Sequence, residues 1–343
     1  MAAFVKNVWY MAGWSEEMGD APLARRIANV PRVFFRTTDG AVKALQDRCP
    51  HRFAPLSMGK IAGDALQCPY HGLTFDGAGQ CVRNFFSDKI PAGAQVQSWA
   101  CIERDGIIWM WNGDPQSADP TKIHDFEVVR DAPGRKVLRG YTHMNAPYEF
   151  ATDNLMDLSH IEFVHQGTFA GDGVIFAGKH SVIDEGDTLH SNWWMEKVPA
   201  PIAAKPPYAD GQIVDHWLDM RWNAPASMKL DIGATLPGKP REEGYQVGGQ
   251  AHIVTPESET TSHYFTANTR THAIDDVGMD AFLTNLFNTA FNEEDKPVIE
   301  ASFANMGTDD FWAAMPLSLG VDQGGTRARR KIEALLKAEA SHG

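Results

Sequence analysis

Cys49-Pro50-His51 and Cys68-Pro69-Tyr70-His71 place two thiols and two imidazoles in two short segments, with sixteen residues between His51 and Cys68. Two such pairs can hold a zinc ion, or a [2Fe–2S] cluster in which two His replace two Cys on one iron. Spacing separates the two occupants. The first pair has a single intervening residue, where zinc sites usually open with two to four, and the second is Cys-x-x-His rather than Cys-x-x-Cys. The pattern therefore points to the cluster, with structural zinc as the alternative. Pro50, Pro55 and Pro69, with Gly59, Gly63, Gly72, Gly77 and Gly79, punctuate this stretch as tight ligand-bearing loops between short strands require.

A second constellation is Asp153-Asn154-Leu155-Met156-Asp157-Leu158-Ser159-His160, followed by His165. On one continuous helix Asp153, Asp157 and His160 share a face, with Leu155, Met156 and Leu158 packing around them. His160 and His165 are five apart, about 140° around a regular helix. Both reach one metal only if the helix ends or bulges between them, and otherwise they are ordinary surface or core histidines. Two His and one carboxylate would form a facial triad with three coordination positions left open. A carboxylate is available in Asn292-Glu293-Glu294-Asp295-Lys296-Pro297, beside the amphipathic segment that begins near Met279. The competing reading is an acidic helix surface. Pro297 is disfavoured in a helix interior and predicts a kink there. Asp157, one turn before His160, is placed to take the second ring N–H of a metal-bound imidazole.

These motifs need two bodies to carry them. The 343 residues suffice for two domains, and 43% hydrophobic with 22% charged residues is an ordinary globular composition. Up to about residue 125, short apolar runs such as Arg32–Arg36 and Gly106–Trp111 alternate with Asp39-Gly40, Asp76-Gly77 and Asp105-Gly106 turns, which predicts an all-β domain over 1–125. A Pro- and Asp-rich stretch, Asp114 to Thr121, leads into 126–343, where helical patterns mix with strands such as Gln250–Thr255. The fold class expected is α+β, with helices laid over an antiparallel sheet in the second domain. Arg327, Arg329, Arg330 and Lys331 on the last helix read as a solvated basic face, or as a docking site for an acidic electron donor. No apolar run approaches the roughly 20 residues of a membrane span. The opening residues lack a secretory pattern, and Cys81 and Cys101 read as buried thiols, so a cytoplasmic protein with no membrane partner is expected. The net charge of −13 argues against nucleic acid as a partner.

Cys49-Pro-His51-Arg-Phe-Ala-Pro-Leu-Ser57, Cys68-Pro-Tyr-His71-Gly-Leu73 and the Asp153–His165 segment together resemble the Rieske non-heme iron oxygenases, in particular their vanillate- and dicamba-type aromatic O-demethylases. The likeness extends to Phe4–Tyr10, His252–Pro256 and Asp322–Arg330, and is weaker over 166–250. It implies a Rieske 2Fe–2S cluster on Cys49, His51, Cys68 and His71. It also implies a mononuclear Fe(II) on His160, His165 and Asp295, with Glu294 as the rival carboxylate and Asn154 as a weak outer ligand. Unlike respiratory Rieske proteins, the chain has Ala54 and Tyr70 near the loops rather than two further cysteines, and Leu73 rather than a serine that would bond a cluster sulfur. Fewer bonds to sulfur imply a low potential in the Rieske range.

In the family an aspartate bridges a cluster His of one subunit to an iron His of the next, because the two metals of one chain lie too far apart for fast transfer. The resemblance assigns that part to Asp157, between His71 of one protomer and His160 of its neighbour, in a head-to-tail homotrimer. It implies NADH-derived electrons delivered by a separate reductase (flavin and 2Fe–2S) or ferredoxin, with O₂ as co-substrate. The reaction implied is O-demethylation of a methoxylated aromatic acid, releasing formaldehyde. Substrate contacts are expected from His252, Trp217, Trp222, Ile232 and Phe265. Two alternatives stand: ring or methyl hydroxylation or N-demethylation of another small aromatic, and an electron-transfer protein without catalytic iron.

Overall fold

The computed structural model describes residues 4–342 apart from 202, 203, 205, 206 and 309; the opening Met1, Ala2 and Ala3 lie outside the described residues. The chain divides after Asp125 into two units, and residues Thr255–Glu259 belong with the first, so that unit is not one uninterrupted stretch.

The first unit is built from β1 (Trp9–Trp14), β2 (Leu23–Ile27), β3 (Val30–Arg36), β4 (Val42–Gln46), β5 (Lys60–Ala62), β6 (Ala65–Gln67), β7 (Thr74–Asp76), β8 (Cys81–Arg83), β9 (Ser98–Trp99), β10 (Cys101–Arg104) and β11 (Ile107–Trp111). They form three antiparallel sheets, ordered β1-β11-β10, β2-β3-β4-β9 and β5-β6-β7-β8. β1 and β11 are buried at every position, which is why both read as unbroken apolar runs rather than alternating ones. Asp105 and Gly106 join β10 to β11 with φ of 59° and 76°, the left-handed pair that matches a tight hairpin to the strand twist. Phe35, Leu45, Leu56, Leu66 and Phe75 pack into one apolar cluster with Cys49 and Cys68. The thiols therefore rest on a rigid floor.

The second unit is a seven-stranded sheet of β12 (Lys136–Met144), β13 (Gly178–Asp184), β14 (Thr188–Pro199), β15 (Ile213–Asn223), β16 (Ser227–Thr235), β17 (Tyr245–Pro256) and β18 (Ser262–Arg270). β13 to β18 follow one another across the sheet and β12 closes it beside β18. Helices α1 (Tyr148–Met156), α2 (Ile161–Val164), α3 (Val277–Asn288), α4 (Lys296–Asn305) and α5 (Gln323–His342) complete the unit. Ser191 of β14 donates from Oγ to the Met156 carbonyl at 2.7 Å, fixing the end of α1 over one face of the sheet.

α5 packs on α1 through two glycines: a Cβ on Gly324 would lie 2.8 Å from the Met156 carbonyl oxygen, and one on Gly325 equally close to Asp153 Oδ1. Each of the four basic residues of α5 also has a contact within the chain, while Arg330 remains exposed. Arg329 grips Asp153 through two nitrogens at 2.7–3.0 Å and lies over Phe311, Lys331 pairs with Asp184 at 2.8 Å, Arg327 bonds the Val182 carbonyl, and Arg330 lies over Trp312.

Candidate metal centres

The two ligand-bearing loops of the first unit repeat one backbone design. Cys49 N–H donates to the Ala54 carbonyl and Phe53 N–H to the Cys49 carbonyl; Cys68 N–H donates to the Leu73 carbonyl and Gly72 N–H to the Cys68 carbonyl. In each loop the fourth residue after the cysteine is left-handed, Phe53 at φ 61° and Gly72 at φ 76°. Glycine takes that conformation without strain, whereas Phe53 is held in it with the Arg48 guanidinium 4.0 Å over its ring. The two thiols are buried and unbridged, and the His51 and His71 rings meet edge to face at 4.5 Å.

These residues fit an iron–sulfur cluster. Burial pushes the Cys49 thiol up to about 11, with Cys68 beside it, so a thiolate at this position needs a cationic partner such as iron. His71 Nδ1 is buried without a hydrogen-bond partner, as a nitrogen kept for a metal would be. Cys68→Ala should therefore give a protein without the red-brown colour and Rieske absorption of the wild type, because one lost thiolate opens the cluster. Visible spectroscopy checks this, and a colourless wild type holding stoichiometric zinc would overturn the assignment.

In the second unit α1 does not run on to His160. It ends at Met156, and Asp157, at φ −123° and ψ 87°, begins a separate 3₁₀ turn over Leu158–His160. The single helical face expected for Asp153, Asp157 and His160 is thus broken: Asp153 turns to Arg329, and the Asp157 carboxylate caps the new turn. Its Oδ1 accepts from Ser159 N–H at 3.0 Å and Ser159 Oγ–H at 2.6 Å. His160 Nδ1 bonds the main-chain carbonyl of Asp157 at 2.6 Å, not its carboxylate. α2 then stops at His165, whose φ of −94° and ψ of 40° leave the helix. That ending brings the rings of His160 and His165 to 5.3 Å.

The bulge lies elsewhere. Thr289–Asp295, between α3 and α4, is π-helical, directly before Pro297 at the start of α4. Proline has no N–H and its ring crowds the carbonyl four residues back, so the widened turn accommodates it where a kink was expected. The wide turn lets two neighbouring carboxylates reach opposite sides of one imidazole. Glu294 Oε2 accepts from His165 Nδ1 at 2.8 Å, and Asp295 Oδ2 lies 3.3 Å from His165 Nε2. Asp295 Oδ1 is 3.5 Å from His160 Nε2 and accepts from Asn154 Nδ2 at 3.1 Å.

Ligand atoms of His160, His165 and Asp295 all lie within 4.8 Å of one another, so the triad is assembled and Glu294 stands outside it. Burial works against ionising Asp295, but the hydrogen bond and charge of His165 and the charge of His160 hold its carboxyl below the usual range. Burial lowers His160, while at His165 the same burial is outweighed by Asp295 and Glu294. A buried anion whose ion partners are two imidazoles suits a divalent metal with N and O ligands, and two His with one carboxylate suit non-heme iron.

Sheet register sorts the expected substrate contacts. Trp222, Met228 and His252 stand directly opposite one another on β15, β16 and β17, and Ile232 is on the same face as Met228. Tyr264 of β18 reaches that face too, since its hydroxyl meets His252 Nδ1 at 2.6 Å. Trp217 and Phe265 are out of phase with this set by an odd number of residues. They belong to the other face, Trp217 parallel to Trp194 and under Arg241, Phe265 beside Tyr141. The five expected contacts therefore do not share one face: Trp222, Ile232 and His252 lie together with Tyr264, and Trp217 and Phe265 lie on the other side.

A chain of ring contacts runs from the triad to this face: His165 to Phe169 at 5.4 Å, Phe169 to Phe287 at 5.9 Å, Phe287 to Phe291 at 6.0 Å, and Phe291 to His252 at 5.5 Å. The i, i+4 spacing of Phe287 and Phe291 is the sequence signal for this contact. Burial pushes His252 down to about 4 against the opposing charge of Asp295, so its imidazole is uncharged at neutral pH.

The Rieske [2Fe-2S] domain model matches residues 8–99, and the vanillate O-demethylase oxygenase C-terminal domain model matches residues 144–338. The chain is 39% identical to the dicamba O-demethylase oxygenase component of Stenotrophomonas maltophilia, over 98% of this chain and 99% of the relative. It is 34% identical to the chloroacetanilide N-alkylformylase oxygenase component of Rhizorhabdus wittichii, over 98% and 97%. A crystal structure of dicamba monooxygenase with non-heme iron and dicamba superposes with a TM-score of 0.87 at 37% identity, covering 100% of both chains.

Proposed function

Because the chain belongs to the Rieske non-heme iron oxygenases, within the vanillate O-demethylase family, we propose that it is the terminal oxygenase of a multicomponent system that demethylates a methoxylated aromatic acid. The observation that carries this reading is the array of rings joining the His160–His165–Asp295 triad to the His252–Tyr264 pair, which suits a flat aromatic substrate with one polar end. Cys49, His51, Cys68 and His71 would hold the cluster, and His160, His165 and Asp295 the mononuclear iron. When bound, the cluster supplies single electrons and the iron, with three positions open, supplies O₂ activation.

The chain's own residues do the rest. With Gln250 Oε1 accepting from His252 Nε2–H at 3.1 Å, the Tyr264 hydroxyl donates to Nδ1, so the imidazole tautomer is held and meets a substrate uncharged. Phe169, Phe287 and Phe291 provide apolar surface between the two ends. One oxygen atom of O₂ inserted into a methoxy C–H bond gives a hemiacetal, which collapses to the phenol and formaldehyde, while the other oxygen atom leaves as water with two electrons and two protons. NADH supplies the two electrons through a partner reductase.

Asp157 is read as the bridge from the cluster of a neighbouring protomer in a homotrimer. Two exposed apolar surfaces support that assembly: Phe53, Tyr70 and Phe86 around the cluster loops, 60–77% exposed, and the Phe163–Phe176 pair near His160, 72% and 60% exposed. Among the described residues no helix is long and apolar enough to cross a membrane. Cys81 and Cys101, the two cysteines outside the cluster set, are unbridged and suit the reducing cytoplasm.

With a surrogate reductase, a methoxybenzoate should yield formaldehyde and the phenol in equal amounts, with NADH and O₂ consumed in parallel. His252→Ala should raise the substrate dissociation constant by about tenfold, because the Tyr264 hydroxyl and the Gln250 amide at the polar end lose the imidazole that both of them bond, and leave iron content unchanged. A second reading, N-dealkylation or hydroxylation of another aromatic, draws on the likeness to the N-alkylformylase component. A panel of methoxylated acids giving no formaldehyde beside another aromatic that is oxidised efficiently would favour it.

A further inference from the structure

We propose that Glu294 is the positioning residue that makes His165 a metal ligand, an inference that rests on reading His160, His165 and Asp295 as the iron ligands. Its carboxylate is fully engaged, accepting from His165 Nδ1–H at 2.8 Å, from Gly167 N–H at 2.9 Å and from the Thr168 hydroxyl. With the proton on Nδ1, His165 Nε2 presents its lone pair to the point shared with Asp295 and His160. The two imidazoles are held differently. His160 leans on a main-chain carbonyl, which no substitution removes, whereas His165 depends on one charged side chain.

That side chain comes from the π-helical turn, 129 positions along the chain from His165. The same carboxylate therefore ties the element carrying Asp295 to the segment carrying His165, and sets their separation as well as the ring's orientation. Successive residues thereby divide the work, Asp295 facing the metal position and Glu294 facing the ring that lines it. The approach also depends on Gly167, because a Cβ there would lie 2.9 Å from Glu294 Oε1. Gly167 is not left-handed, so alanine fits its backbone while crowding Oε1 at the free end of the Glu294 side chain, which must shift to make room.

The test uses the full-length protein with its cluster loaded and measures the Fe(II) dissociation constant by chelator competition, together with the thermal midpoint of the same protein free of mononuclear iron. Glu294→Gln should weaken Fe(II) binding by about 10–100-fold, the range for losing an outer partner of a metal-bound histidine, and Gly167→Ala, which shifts the carboxylate without removing it, by a smaller factor of about five, each with the cluster spectrum intact. The iron-free midpoint of Gly167→Ala should stay near the wild-type value, and if Glu294→Gln does not fold, Gly167→Ala decides alone. Fe(II) affinity within about twofold of wild type in the folded variants would overturn the proposal, as would a loss that merely follows a fall in the iron-free midpoint. So would loss of iron as complete as in Asp295→Ala, which would make Glu294 a direct ligand. His165→Ala and Asp295→Ala are the controls: if these two keep iron, the ligand assignment falls.

Discussion

Asp295→Ala should reduce total iron from about three to about two atoms per chain, leave the Rieske spectrum unchanged and abolish oxygenation, because it removes the one carboxylate among three protein ligands. His160→Ala and His165→Ala should behave alike. The expectation follows from geometry: Asp295 is buried and its two oxygens face the Nε2 atoms of both histidines. Iron analysis beside visible spectroscopy checks it. If Asp295→Ala kept iron and activity while Glu294→Ala lost both, the carboxylate ligand would be displaced by one residue from the position proposed.

Asp157→Asn should keep both metals and yet slow reoxidation of the reduced cluster, on adding substrate and O₂, by on the order of 100-fold. The variant is cleaner than the motif alone suggests. His160 is oriented by the main-chain carbonyl of residue 157, which asparagine retains, and the side-chain oxygen of asparagine can still accept from Ser159. What disappears is the carboxylate charge, which the proposed bridging role of Asp157 requires. Stopped-flow absorbance of the cluster in a single turnover reads that step directly. A reoxidation rate equal to wild type would remove Asp157 from the electron path.

Both predictions depend on a distinction between what lies close in sequence and what lies close in space. The cluster loops were legible because their geometry is local: Cys, Pro and His a few residues apart, closed by backbone hydrogen bonds that span no more than five residues. His160 and His165 were legible with one condition attached, that the helix end or bulge, and the chain meets it by stopping at His165. Local spacing could not reveal that α1 breaks at Asp157, since Leu155 to Leu158 suits a continuous helix as well as a broken one. The break follows from distant commitments, with Ser191 holding the end of α1 and Arg329 drawing Asp153 away.

The substrate face shows the same limit more sharply. Trp217 and Phe265 have the right chemistry for an aromatic pocket, and the strand period of two puts them on the opposite side from Trp222 and Tyr264. Side-chain type does not encode that parity, which only pairing with neighbouring strands settles. The two Cys-His pairs, the histidines of the iron segment and the α+β division were thus determined by the sequence itself, through short-range backbone geometry and apolar patterning. Which carboxylate joins the two histidines, which one bonds His165 Nδ1 from 129 residues away, and which side chains share the His252 face of the sheet were decided by the tertiary structure. The physical reason is that these contacts are set by strand register and by one widened helical turn, each of which a shift of a single residue would reverse.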